Sequence, residues 1–289
     1  MLAAVATFAV LAFGQQTDTT VTVPAGARLD VSNPSGSIVL KSWTQKGVRV
    51  HADHERADVV EVTLEGTVLR IKSGSRRSTP REVHYIISAP ATMPLTLTGV
   101  QTDIDVDGAQ APVTVETVNG RVNCRGGTGL ISLKSVDGEI AVQQAKGRIE
   151  ITTVNEDISV SDVAGDIAAS SVSGDIELRN VESSSVEAAT VSGEVLYGGS
   201  IADGGRYHFA THNGDVTFAL PEKANATISV STFNGDLDAS FPVNVAGASK
   251  HRFSFTIGVA GTRAARIEIE TFNGDIKLRR PGELDEPNE

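Results

Sequence analysis

Residues 149–178 read IEITTVNEDISVSDVAGDIAASSVSGDIEL, and this stretch decides the fold. Ile149, Ile158, Ile167 and Ile176 stand nine residues apart, and Ile151, Val160, Ala169 and Leu178 repeat the beat two residues later. Most residues between the two rows are polar, Glu150, Ser159 and Glu177 among them. Alternation with period two marks a strand with one buried face, so each nine-residue unit predicts one short strand. Toward the N-terminus the first row continues through Ile140, Ile131, Val122, Val113 and Ile104, and the second through Val142, Leu133, Cys124, Val115 and Val106. Self-similarity at a fixed short period predicts a solenoid.

A fuller signature returns every second unit: Thr117-Val118-Asn119-Gly120, Ser135-Val136-Asp137-Gly138, Thr153-Val154-Asn155-Glu156, Ser171-Val172-Ser173-Gly174 and Thr190-Val191-Ser192-Gly193. Its spacing is 18, 18, 18 and 19 residues, widening to 21 at Thr211-His212-Asn213-Gly214 and again at Thr232-Phe233-Asn234-Gly235. One coil is therefore 18 to 21 residues, and the expected fold is all-β, a single-stranded parallel β-helix. The residues before each strand, often Gly (Gly120, Gly129, Gly138, Gly147, Gly165, Gly174), are read as corners that need φ > 0. Glu156 departs from that pattern. His212, in place of Val, is read as a core-edge variant. After a 39-residue step the motif returns as Thr271-Phe272-Asn273-Gly274-Asp275-Ile276, read as a final strand or cap reached through an inserted hairpin. A lone coil cannot bury enough apolar surface to offset its ordering entropy, so several must stack.

Before this region the alternation continues without the beat. Thr20–Val23, Ser37–Leu40, Val48–His51, Val60–Leu64 and Val68–Ile71 read as strands, with Glu65-Gly66-Thr67 as a hairpin turn. Asn33-Pro34-Ser35-Gly36-Ser37-Ile38 resembles an isolated first copy of the corner. The expected organisation is a signal peptide at 1–14, an irregular β region that begins the solenoid at 15–98, repeats and a C-terminal β cap at 99–280, and a disordered acidic tail at 281–289. The signal reading rests on the apolar run Leu2–Phe13, too short to span a bilayer. It lacks a preceding Lys or Arg, so the start codon is open to question. No transmembrane span follows, and the expected location is secreted or extracytoplasmic. Arg76–Arg81 is read as an exposed basic connection.

The chain has 289 residues, 25 basic against 36 acidic, and a net charge of -11, which argues against nucleic acid as a partner. Aromatics make up 4%, too few to advertise a deep saccharide cleft. The single Cys124 sits in an inward row and excludes an intrachain disulfide. The chemical candidate is an acidic row one residue after each corner: Glu139, Asp157, Asp175, Glu194, Asp215 and Asp236, with Arg121 at its N-terminal end. These point outward by parity and form a candidate cation row, calcium being the natural ion. The Gly-Gly-x-Gly-x-Asp loop of nonapeptide calcium rolls is absent, and side chains that bond their own corner backbone are the competing reading. His51 and His54 do not share a face. No residues are nominated as catalytic or cofactor-binding, and no cofactor is called for.

The unit Ser/Thr-Val/Phe-Asn/Ser-Gly-Asp/Glu-Ile/Val, most literal at 171–176 and 271–276, resembles the bacterial putative-adhesin family of β-strand-repeat proteins of the cell envelope, a domain of unknown function. Short Gly-Asp-Ile units also occur in the polymerising bactofilins. The resemblance implies an envelope-associated or secreted β-helix and carries over no ligand residue. The expected function is a non-enzymatic adhesin or binding module for an unidentified envelope or surface component. A scaffold that self-associates end to end is the alternative, and a polysaccharide-active enzyme is the third reading.

Overall fold

The computed structural model describes residues 16–56, 58–75, 82–243, 247–249, 251–258 and 263–284. The expected signal peptide and the basic stretch 76–81 lie outside the described residues. The fold is all-β: among the described residues the one helical element is a 3-10 turn at Pro281–Glu283. Among the described residues no helix is long and apolar enough to cross a membrane. Two compact units divide in sequence at Ile140/Ala141.

The first unit holds β1 (Gln16–Thr22), β2 (Arg28–Trp43), β3 (Gly47–Asp53), β4 (Asp58–Glu65), β5 (Val68–Ser75), β6 (Val83–Pro90), β7 (Leu95–Ala109), β8 (Val113–Glu116), β9 (Val122–Gly126) and β10 (Thr128–Lys134); β11 (Ile140–Gln143) spans the division. β7 pairs in parallel with β8 and β9, Leu95 opposite Val113 and Ile104 opposite Val122, and β8 pairs with β10, Val113 opposite Ile131. Each partner lies 18 residues on, the spacing of the sequence signature. β2 runs parallel to β7 with Asn33 opposite Gly99 and Ile38 opposite Ile104, which places the isolated early motif in register with the repeats. On its other side β2 meets β5 and β6, also in parallel. Here the direction reverses: β4 is antiparallel to β5 through the Gly66 turn, β3 to β6, and β1 to β3.

The second unit holds β12 (Lys146–Thr152), β13 (Ile158–Ala164), β14 (Ile167–Ser170), β15 (Ile176–Glu182), β16 (Ser185–Ala189), β17 (Val195–Gly199), β18 (Arg206–Asn213), β19 (Val216–Ala219), β20 (Ala226–Asn234), β21 (Leu237–Ala239), β22 (Gly247–Ser249), β23 (Arg252–Ile257), β24 (Ala265–Asn273) and β25 (Ile276–Arg279). Parallel registers again follow the sequence steps: Ile149 opposite Ile167, Ile167 opposite Val186, Val186 opposite Tyr207. The last copy of the motif does not follow the others as a cap. β24 pairs in parallel with β18 on one side and β20 on the other, and β25 lies between β19 and β21. The final segment of the chain fills a slot that the preceding repeat skipped. The edge of β20 is covered instead by antiparallel β23, which pairs with β22.

Both inward rows are buried without exception from Ile104 to Leu178, Cys124 included. Where the repeat lengthens to 21 residues, the core holds larger side chains: Tyr197, Phe209 and Phe218 pack with ring centroids 5.0 to 5.3 Å apart. Tyr207 donates from its hydroxyl to the Ser183 carbonyl and accepts the Ala202 N–H, so the extra loop residues are tied to the wider core. The expected disordered tail begins with an ordered turn, in which the Glu283 carboxylate accepts from the Arg280 N–H and the Ser240 hydroxyl; residues 285–289 lie outside the described residues.

The reading of the corner glycines divides in two. Gly129, Gly147 and Gly165 do adopt positive φ, between 90 and 126°, but Gly120, Gly138 and Gly174 do not. At those three positions the constraint is the neighbouring repeat. A Cβ on Gly120 would lie 2.1 Å from the Thr102 carbonyl oxygen, on Gly138 1.9 Å from that of Gly120, and on Gly174 2.2 Å from that of Glu156. No side chain fits between backbones that close, whatever its φ.

Gly138→Ala is expected to destabilise the protein by about 2 kcal/mol or more, the scale of strained or overpacked substitutions. Gly74→Ala, whose Cβ would meet nothing within 4 Å, is expected to stay within about 0.5 kcal/mol of the parent; urea unfolding distinguishes the two. Burial pushes the Cys124 thiol up from 9.0 to about 12. Burial likewise raises Tyr85 to about 12, opposed by the nearby Ser73 hydroxyl. The unfolded chain releases these protons at lower pH than the native state does, so stability is lost as pH rises from about 9 toward 12. A urea midpoint measured from pH 7 to 11 is expected to fall along this range, and to fall less between pH 8.5 and 10 in Cys124→Ala.

Candidate functional site

Each position of the repeated corner has a distinct physical role. The first residue is buried, and its hydroxyl donates to a carbonyl of the repeat beneath: Ser171 to Glu156, Thr190 to Gly174, Thr211 to Gly193, Thr271 to Gly214 and Thr232 to Gly274, at 2.9 to 3.3 Å. The third forms a polar ladder where Asn213, Asn273 and Asn234 lie side by side. Asn234 donates from its amide to Asn273 and Asn273 donates to Asn213, each at 2.8 Å. The fourth is the glycine at the point of closest backbone approach.

The fifth position is the acidic row, outward as expected. Its carboxylates accept backbone N–H bonds from the same position of the next repeat. Asp157 accepts from Asp175 at 2.8 Å, Asp175 from Glu194 at 2.7 Å, Asp215 from Asp275 at 2.8 Å and Asp275 from Asp236 at 2.9 Å. In the first unit Asp103 accepts from the Arg121 N–H at 2.9 Å, and the Arg121 side chain lies 3.8 Å from Glu139. One cation of the chain itself lies on the row: Lys277 Nζ is 2.8 Å from Asp215. The hydrogen bond with Asp215 holds Lys277 above its ordinary pKa against the opposing effect of burial, and Glu194 and Asp275 add to the rise. Burial raises Asp215, but Lys277 and the Asp275 N–H outweigh it and leave the carboxyl below its usual range. Among the described residues no three or more His, Cys, Asp or Glu converge as metal ligands. His51 lies about 4 Å from Asp18 and Asp53, whereas His54 is buried and bonded to the Thr17 hydroxyl, so the two histidines are separated as expected.

The second position points outward, and this the sequence reading missed. Val100, Val118 and Val136 are exposed in the first unit; Val172, Val191, Phe272 and Phe233 are exposed in the second, at 46, 46, 41 and 53%. Backbone register aligns each set, through Gln101–Asn119 and Asn119–Asp137 in the first unit, and through Ser173–Ser192, Ser192–Asn213, Asn213–Asn273 and Asn234–Asn273 in the second. Each unit thus carries a largely apolar ridge along its repeats, with Val154 half-buried and His212 the polar member in the second unit. His212, read as a core-edge variant, is exposed and stacks on Phe272 with centroids 4.8 Å apart and planes 12° from parallel. Phe272 stacks on Phe233 at 4.9 Å and 4°, and Phe233 on His251 at 4.8 Å and 19°. The order along the ladder, His212, Phe272, Phe233, His251, is not chain order. It exists because β24 is inserted between β18 and β20. The available signal was the tolerance of one position for Val, His and Phe, since a packed interior does not accept such a range of volumes.

A groove of about 790 Å³ in the second unit is lined by Lys146, Asp162, Arg179, Asn180, Glu182 and Ser200, among others. It follows a second row of corners where Gln144, Asp162 and Asn180 take left-handed φ of 51 to 55° and Asn180 donates to Asp162 at 2.9 Å. Its charges are of both signs, so it has no electrostatic preference. The ridge is the stronger candidate, because contiguous exposed apolar surface is what monomeric proteins avoid unless a partner covers it.

If the acidic row serves to satisfy backbone N–H groups, Asp175→Asn retains an acceptor and leaves stability near the parent. Asp175→Ala removes the acceptor for the Glu194 N–H and is expected to cost about 1 kcal/mol, read as a lower thermal midpoint.

No curated protein matches the chain. Two crystal structures align over most of their length. One is a putative cell adhesion protein from Clostridium sporogenes, 10% identical, covering 92% of this chain and 99% of its own, with a TM-score of 0.25. The other is a putative adhesin from Bacteroides fragilis, 13% identical, covering 91% and 96%, with a TM-score of 0.35. Superpositions this loose bear on neither fold nor function. The family model is different in kind: Toastrack DUF4097 matches residues 3–172 and again 166–279, nearly the whole chain. The two matches meet inside the run of equivalent repeats, as a repeated architecture requires, and the chain belongs to the Toastrack DUF4097 family.

Proposed function

We propose that this chain is a non-enzymatic binding module of the secreted or cell-envelope compartment, a parallel β-solenoid of 18- to 21-residue coils that attaches to a surface component through its exposed ridge. The ridge carries the reading: a line of exposed Val and Phe side chains along the repeats has no role in the core and suits contact with a partner. The 18-residue parallel registers support the winding. The apolar run at 2–13 supports export.

The scaffold alternative is disfavoured by how β5, β6 and β20 end their ladders, although β21 pairs only with β25 among the described residues. β3 and β4 in the first unit, and β23 in the second, run antiparallel to the strands they cover, so they do not present the parallel edge that a like copy would extend.

Purified residues 15–289 incubated with isolated envelope fractions are expected to cosediment saturably and to release no soluble sugar. Phe233→Ser/Phe272→Ser should lose most of that binding while melting like the parent. Pelleting of the protein alone would overturn the reading in favour of self-assembly, and sugar release in favour of an enzyme. Loss of binding in EDTA would assign a cation to the acidic row.

A further inference from the structure

We propose that the partner of the second unit's ridge is a basic amphipathic helical peptide segment, its apolar stripe laid along His212, Phe272, Phe233 and His251 and its Lys or Arg side chains directed to the acidic row beside it. The inference rests on the binding-module reading and names its ligand.

Three observations carry it. First, the two rows are parallel and close. Phe272 and Asp275, and likewise Phe233 and Asp236, are three residues apart in adjacent aligned repeats, a span of at most about 11 Å. A partner that covers the ridge therefore also meets a line of carboxylates. Second, the row already accepts an ammonium, that of Lys277 at Asp215. Beside the ladder itself, Asp275 takes an N–H bond on one oxygen, Oδ1, and among the described residues no ion pair is seen at Asp275 or Asp236. A net charge of -11 adds a long-range field of the same sign.

Third, the ladder spacing discriminates between backbones. Its rungs are 4.8 to 4.9 Å apart. A helix returns the same face about every 5.4 Å, so over three intervals it drifts by less than 2 Å. An extended strand returns a face only about every 6.8 Å, and drifts by roughly 6 Å, more than a full rung. The ring planes lie within 19° of parallel and face one another, so they offer edges to solvent. Stacking of sugar rings on aromatic faces needs the faces, which counts against a glycan.

The test uses the full chain and a fluorescein-labelled 14-residue Leu/Lys amphipathic helix, followed by anisotropy. Comparison probes are the same peptide with Glu for Lys, a scrambled Leu/Lys peptide, and zwitterionic and anionic vesicles. Micromolar binding of the Leu/Lys helix is expected, at least tenfold weaker for the Glu and scrambled peptides. It should be at least tenfold weaker in Phe233→Ser/Phe272→Ser, and about threefold to tenfold weaker and less salt-sensitive in Asp275→Asn/Asp236→Asn. Equal binding of the Glu or scrambled peptide, preference for vesicles, or indifference to the Phe substitutions would overturn the proposal. Envelope binding that depends on Phe233 and Phe272 without any peptide binding would sink the peptide and leave the binding module standing. Loss of both would sink both.

Discussion

Everything in this molecule depends on how closely one backbone lies on the next. Parallel ladder hydrogen bonds hold adjacent strands about 4.8 Å apart, and at the corners that spacing leaves no room for a Cβ: the distances of 1.9 to 2.2 Å at Gly120, Gly138 and Gly174 are shorter than any nonbonded contact. The rest of the motif follows from this approach. A buried Thr or Ser hydroxyl is needed because the compressed corner leaves a carbonyl inside without a strand partner. The acidic side chain is needed because the next corner's N–H points outward, beyond the ladder. Composition at the first, fourth and fifth positions is thus set by one spacing, and the second position, which touches neither carbonyl nor N–H, is left to vary.

The rows that fill the core were legible because burial imposes a strict period. From Ile104 to Leu178 every residue assigned inward is inward, and the parallel partners fall where the signature spacing puts them. The corner was less legible. Glycine has two uses, left-handed φ and absence of bulk, and a sequence does not distinguish them: Gly147 serves the first and Gly138 the second. Order was not legible at all. Sequence spacing puts Phe233 next to His212, whereas hydrogen bonding puts Phe272 there, since nothing in a repeated motif says which copy lies beside which.

The ridge and acidic row show how a repeat can serve two ends. Inside, each copy must be nearly alike for its neighbours to pack on it. Outside, the same register turns a local substitution into a linear surface feature, so that Val at one level and Phe at another grade a single ridge from aliphatic to aromatic. The negative row is fixed by backbone requirements, and the charge it brings to the surface comes with the fold. Under the proposed binding role, selectivity lies in the one position that the fold leaves free.

The placement of β24 and β25 also governs how the chain is made. A repeat protein whose order in space matches its order in sequence can build from its first copy outward, each new copy docking on the last. Here β18 and β20, with β19 and β21, are synthesised first and must wait with facing edges unpaired until residues 265–279 arrive. Closure then sets two ladders on each new strand at once, over separations of about 60 residues on the β18 side, a costly loop to close and a slow step of the kind that long-range β pairing imposes. The segment 265–279 is the keystone of the second unit. A nascent chain halted before it would carry open edges that invite pairing with other chains, so the unit passes from vulnerable to protected only when residues 265–279 are in place.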